Sequence, residues 1–197
     1  MIPVRPSPEP PDFDRRVRRP GLAAFRRTGR ADKAFWRRCH DALYAAGKGY
    51  CAYLAVRIPR SPVSDPRCGG SSVDHFLPRD RFPRFAYEWK NYRLACSAVN
   101  SRKGDAVGIL DPFRMKEEEA DWFFLNPLTG TLSPNPALSA RRRRAVENTI
   151  QALGLNQKIF CDYRLDLLDL LEQDDGAESL CCESPFLLAE AIRLRLL

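Results

Sequence analysis

The apolar positions of this chain fall into short runs whose period changes several times. Residues 1–20, rich in Pro and Arg, offer little to bury and read as an extended arm. Across residues 23–46, Phe25, Phe35, Trp36, Cys39, Leu43 and Tyr44 recur mostly at helical spacing until Gly47 and Gly49 stop the run. That pattern predicts a helix packed on the core, with an interruption at Gly29. Residues 50–58 are apolar and suit a strand, and residues 59–72, with three prolines and two glycines, suit a loop.

The period then changes twice within a short stretch. Residues 72–77 fit a short strand, 78–89 an irregular connection, 91–95 a second strand and 97–106 a short helix. Farther on, 122–125 and 130–133 flank the turn-like NPLTG as a hairpin. Asn135 follows as a helix N-cap, with Pro136 as first helical residue. That helix runs to about Leu153 with Leu138, Val146, Ile150 and Leu153 on one face. A second helix spans about 156–172, and a short apolar helix closes the chain. The fold class is therefore α+β, a small ββα core flanked by helices on both sides. Its segments are an arm (1–20), a helical segment (21–48), the core (49–110) and a hairpin with C-terminal helices (111–197).

With 197 residues and 44% apolar content, one main domain is the expectation. No stretch approaches the roughly 18 to 20 uncharged apolar residues that span a bilayer, and the start lacks the apolar core of a signal peptide. A soluble, cytoplasmic protein follows as the expectation. Seven cysteines, an odd number with no regular framework, suggest reduced thiols. The net charge of +7 is unevenly placed: residues 1–48 hold twelve Lys/Arg against five Asp/Glu, 49–164 hold eighteen against twelve, and 165–197 hold two against eight. Basic material thus lies around and upstream of the ββα segment, where it could meet phosphates.

Phosphodiester hydrolysis needs a base, a divalent cation and cationic groups near the developing charge. The segments SSVDHFLPRD and EWKNYRLACSAVNSRKGD offer all three. Asp74 and Asn100 supply hard oxygens of the kind Mg²⁺ prefers. His75 supplies an imidazole suited to proton transfer near neutral pH. Lys103 lies one helical turn beyond Asn100, with Arg102 beside it, as cations for a phosphate. His40 reads as a surface or partly packed histidine, and the Arg141–Arg144 run surrounds a helix without marking one face.

These residues resemble the HNH endonucleases of the ββα-metal, or His-Me finger, fold. The resemblance rests on Asp74-His75 followed by Pro78, on Trp89-Lys90-Asn91, and on Asn100-Ser101-Arg102-Lys103-Gly104, and it covers about residues 50–110. It implies a Mg²⁺- or Mn²⁺-dependent nuclease acting on DNA. By that resemblance Asp74 and Asn100 are the metal ligands, His75 is the general base and Asn91 orients its loop. Lys103 and Arg102 are the implied nucleic-acid contacts. Many such proteins also bind zinc through two Cys-x-x-Cys pairs. Here Cys51 and Cys96 each lack the second cysteine, Leu54 and Val99 standing in its place, so no structural zinc is expected.

Trp36, Cys51-Ala52-Tyr53, Val73-Asp74-His75-Phe76 and the YEWKNYRLAC run are further similar to small bacterial HNH proteins of anti-phage systems of the Septu or retron kind. Their genes often neighbour that of an ATPase. The resemblance implies a defence role, a partner ATPase and, for double-strand cleavage, two chains or two visits. The alternative is a nucleic-acid or partner-binding subunit that is silent alone and active only with an ATPase.

Overall fold

The computed structural model describes residues 1–60 and 67–197, and the fold is α+β. Its centre is an antiparallel hairpin of β1 (Ser71–His75) and β2 (Tyr92–Cys96), in a register that sets Ser71 opposite Cys96 and His75 opposite Tyr92. Chain α3 (Ser97–Lys103) follows β2 without a linker. The expected order of strand, loop, strand and helix is therefore present, with strand bounds within two residues of prediction and the helix three residues shorter than expected. Residues 61–66 of the expected 59–72 loop lie outside the described residues.

Two helices sandwich the hairpin. On one face lies α3, and on the other α2 (His40–Ala46), whose end brings Gly47 against Leu94. The helical run expected over 23–46 is interrupted at Gly29, as its sequence suggests, and forms two helices. A turn over Asp14–Arg18 leads directly into α1 (Arg19–Thr28), which ends at Gly29 with φ 68°, a left-handed conformation that costs glycine little. The arm also departs from expectation. Residues 1–10 are irregular, but Phe13 and Val17 are fully buried, and the arm is tied down where Trp89 Nε1 donates to the Ser7 carbonyl at 3.0 Å.

Residues 50–58 are not a strand. The chain folds back on itself, with the Ala55 amide donating to the Cys51 carbonyl at 2.8 Å and the Cys51 amide to the Val56 carbonyl at 2.9 Å. The Leu54 and Cys96 amides point at the Cys51 sulfur, at 3.5 and 3.4 Å. A continuous apolar run says only that these residues are inside, and a buried turn satisfies that as well as a strand.

The second hairpin pairs β3 (Phe123–Leu125) with β4 (Leu132–Pro134). Gly130 in its turn has φ 67°, and a Cβ there would lie 2.3 Å from the Cys161 carbonyl oxygen. Helix α4 (Ala140–Leu153) begins later than predicted and is capped by Ser139, whose Oγ accepts from the Arg142 amide. Asn135 is spent elsewhere: its Oδ1 accepts from the Ala137 amide at 2.8 Å, making a local turn. The chain closes with α5 (Lys158–Leu168), α6 (Gly176–Glu183) and α7 (Pro185–Leu194).

The C-terminal helices pack back on the centre. Ser184 Oγ donates to the Ala55 carbonyl at 2.8 Å, and buried Glu190 accepts from the Leu125 amide at 2.6 Å. One cluster of buried side chains runs from Phe13 through Tyr53, Tyr92 and Leu153 to Ala191. No helix among the described residues is long and apolar enough to cross a membrane.

Candidate active site

Strand β1 ends on Asp74 and His75, and alternation along a strand sends neighbouring side chains to opposite faces. Asp74 faces α3, whereas His75 faces the N-terminal helices.

On the α3 face, Asp74 is almost completely buried. Its Oδ1 accepts from Lys103 Nζ at 3.0 Å and its Oδ2 from the Tyr53 hydroxyl. Lys103 is 1% exposed and gives a second hydrogen bond to the His75 carbonyl at 2.7 Å. Burial first, then the neighbouring Asp74 charge, push the Tyr53 phenol well above its ordinary range, so it stays a donor. One turn earlier on α3, Asn100 Nδ2 donates to Ser72 Oγ at 3.0 Å and to the Val73 carbonyl at 3.4 Å. Its Oδ1 accepts no hydrogen bond among the described residues. Opposite Asp74 in the ladder, Arg93 forms a bidentate pair with Asp111 at 2.9 and 2.8 Å, and its Nη1 donates to the Lys90 and Tyr92 carbonyls.

On the other face, His75 Nε2 lies 2.9 Å from the Ala86 carbonyl. A carbonyl only accepts, so Nε2 carries the proton and Nδ1 keeps its lone pair. The ring meets Trp36 edge-on at 4.7 Å and Tyr92 at 5.2 Å between centroids. Burial lowers its pKa to about 4, and the ring is neutral at pH 7. Arg79 lies over the Trp36 ring at 5.0 Å. The loop that supplies Ala86 is braced by Asn91, whose Oδ1 accepts from the Leu77 amide at 2.8 Å. Its Nδ2 donates to the Leu77 and Phe85 carbonyls at 3.0 and 3.1 Å.

The structure thus brings Asp74, Asn100 and Lys103 together and sets His75 behind them on the opposite face. Lys103, expected to reach out to a phosphate, is enclosed and neutralised by Asp74 instead. Arg102 points away from this group: its Nε donates to Gln157 Oε1 and its guanidinium lies 5.0 Å from the Phe160 ring. The helical register gives the reason, since Lys103 repeats the inward direction of Asn100 and Arg102 does not.

His40 makes a separate contact, with Nε2 2.9 Å from Ser71 Oγ. Ser71 gives its proton to the Arg60 carbonyl, so it accepts from His40 and is not poised as a nucleophile. Tyr53, Trp36 and the Arg93–Asp111 pair escaped the sequence reading as site residues. Each reaches its partner through the tertiary fold, and only the register of β2 could have pointed to Arg93.

No family model matches the chain. It is similar to the Septu protein PtuB of Bacillus thuringiensis, with 26% identity over 121 residues. The match covers 59% of this chain and 40% of that protein, so the chain spans about two fifths of the relative's length.

A hard divalent ion asks for oxygen ligands and accepts as few as one or two carboxylates. The carboxylate of Asp74 and the free Oδ1 of Asn100, on one face of β1 and α3, fit that chemistry. Lys103 is the competitor, because its ammonium already neutralises Asp74. Among the described residues no three His, Cys, Asp or Glu side chains form a metal-binding group. At the cysteines expected to lack zinc, Leu54 and Val99 are buried beside Cys51 and Cys96.

Proposed function

We propose that the chain is a metal-dependent HNH-type endonuclease that cleaves DNA and serves in defence against phage. The observation that carries the reading is the state of His75, a neutral imidazole whose Nε2–H is fixed on a backbone carbonyl and whose Nδ1 is left as a base. Similarity to a Septu protein supports the defence role.

His75 and the Asp74–Asn100 pair stand on opposite faces of β1, so this reading requires the Trp36 cover and the Lys103–Asp74 pair to rearrange when DNA and the cation bind. Nδ1 of His75 then takes a proton from water, and the oxygen attacks the phosphorus in line. The P–O3′ bond breaks, giving 5′-phosphate and 3′-hydroxyl ends once the leaving oxygen is protonated from solvent. Asp74 and Asn100 would hold a Mg²⁺ or Mn²⁺ ion, which supplies Lewis-acid stabilisation of the developing charge. Asn91 keeps the loop from moving and so keeps the imidazole in its tautomer. Lys103 holds the Asp74 side chain in place until the cation arrives. One site per chain cuts one strand, so a double-strand break takes two chains or two visits.

A second reading is a subunit that is silent alone and acts only with an ATPase. The enclosure of His75 behind Trp36, together with the Lys103–Asp74 pair, favours it. The test is nicking of supercoiled plasmid with Mg²⁺, Mn²⁺ or EDTA, wild type beside His75→Ala, with and without any co-purifying protein. Cutting by the wild type alone that requires metal and His75 supports the nuclease; equal cutting by His75→Ala refutes it. Cutting that starts only when the partner is added selects the second reading.

A further inference from the structure

Between Arg26, in the last turn of α1, and Arg37, beside Trp36, the chain carries five cations and a single acid, Asp32. Arg26, Arg27, Arg30, Lys33 and Arg37 are all exposed. None has a carboxylate partner among the described residues. Upstream the situation differs, because Arg16, Arg18 and Arg19 are neutralised by Asp12, Glu9, Asp14 and Glu88.

This segment is held firmly against the candidate site. Gly21 of α1 lies flat on Tyr87, where a Cβ would come within 2.3 Å of the ring. The Tyr87 hydroxyl donates to the Lys33 carbonyl at 3.1 Å, and its ring stands 6.0 Å from Trp36, which meets His75 edge-on. A chain of packed rings therefore ties the backbone that carries the five cations, at Gly21 and Lys33, to the imidazole. Arg79, over Trp36, extends the positive surface across the indole. The helix terminus favours Arg26 and Arg27, but Arg30, Lys33 and Arg37 lie beyond it and gain nothing from the helix dipole.

We propose that residues 26–37 are a phosphate-binding tract that grips a DNA duplex beside the bond presented to His75. The nuclease reading is what names DNA as the polyanion; the tract itself follows from the charge and its placement. Duplex DNA concentrates negative charge along its backbone, and each phosphate neutralised by a side chain adds about 0.9 to the dependence of log affinity on log salt. Phosphate contacts position a duplex without reading its sequence, so the tract serves any sequence equally.

The experiment compares the full chain with R26E/R27E/R30E, measuring anisotropy of a labelled duplex of about 30 base pairs in EDTA over a range of salt. The charge-reversed protein is expected to bind at least about tenfold more weakly, with a salt slope smaller by about three. R26Q/R27Q/R30Q should fall between the two, and it carries the test if melting shows that the reversed protein has not folded. Hydrolysis of bis(p-nitrophenyl) phosphate, which is too small to reach the tract, is expected to be unchanged.

Undiminished duplex binding with an unaltered slope in both variants overturns the proposal. So does a parallel loss of small-diester hydrolysis, which would mean that the charges act through the fold. Loss of binding to vesicles of equal parts phosphatidylserine and phosphatidylcholine, with duplex binding retained, assigns the surface to lipid and also overturns it. Binding in EDTA needs no chemistry, so failure of the nuclease reading would appear separately, in His75→Ala cutting as well as wild type.

Discussion

Lys103 Nζ lies 3.0 Å from Asp74 Oδ1, and neither side chain has more than 2% of its surface open to solvent. Two charges enclosed this way hold each other in place, and removing either leaves the other without its counter-charge. Lys103→Met should therefore destabilise the fold by about 3 to 5 kcal/mol, and Asp74→Asn by a similar amount. The double variant should recover part of the loss, with a coupling of about 1 to 3 kcal/mol. Denaturant melts of the four proteins measure it, and strictly additive losses would mean the pair is not coupled.

His75 predicts a pH dependence of stability. Burial holds its folded pKa at about 4, against 6.5 for the free imidazole. The unfolded chain therefore takes up the proton first. The stabilisation is fully present above about pH 6.5 and is lost as the pH falls to about 4, on the order of 3 kcal/mol in total. His75→Gln should flatten the wild-type slope within that window and leave the slope above pH 7 unchanged. Urea midpoints taken from pH 4 to 8 provide the check.

Trp36→Ala should act on the same ring from outside. Deleting the indole removes a buried aromatic at a cost of about 3 to 5 kcal/mol. It also opens the imidazole to water, so the His75 pKa should rise from about 4 toward 6.5. An NMR titration of the imidazole resonances reads this directly. A pKa that stays near 4 would show that Tyr92 and the Ala86 loop, rather than Trp36, keep the ring dry.

Asn91→Ala removes three hydrogen bonds at once, two to Leu77 and one to Phe85. The buried amide and carbonyls left behind should cost about 2 to 4 kcal/mol, taken as up to three ordinary hydrogen bonds. The effect should be local, with faster hydrogen exchange at the Leu77 amide and little change in β2. In the proposed nuclease, cutting should fall more than duplex binding, because the imidazole loses its fixed tautomer while the basic surface is untouched.

The local elements of the ββα segment were legible in the sequence because each carries its own signal. Alternation in 91–95, the prolines between the strands and the helical spacing of Val99 and Lys103 report local backbone preferences. The α+β class followed from them. The 50–58 run was misread because apolar content reports depth and not conformation. Asn135 was misread because its carboxamide serves a turn as readily as a cap. The interruption of the 23–46 helical run at Gly29 was legible, because a glycine is the residue that takes the left-handed backbone at a helix end.

At the site, the sequence by itself determined which chemical groups are present and that α3 would carry Asn100 and Lys103 on one face, a helical turn apart. The tertiary structure alone decided that Tyr53 closes the second oxygen of Asp74, that Lys103 is enclosed, and that Trp36 covers His75. Those contacts join residues 21 to 39 positions apart in the chain. Helical and strand periods govern the direction of a side chain within its own element. What a side chain meets there depends on how distant elements pack.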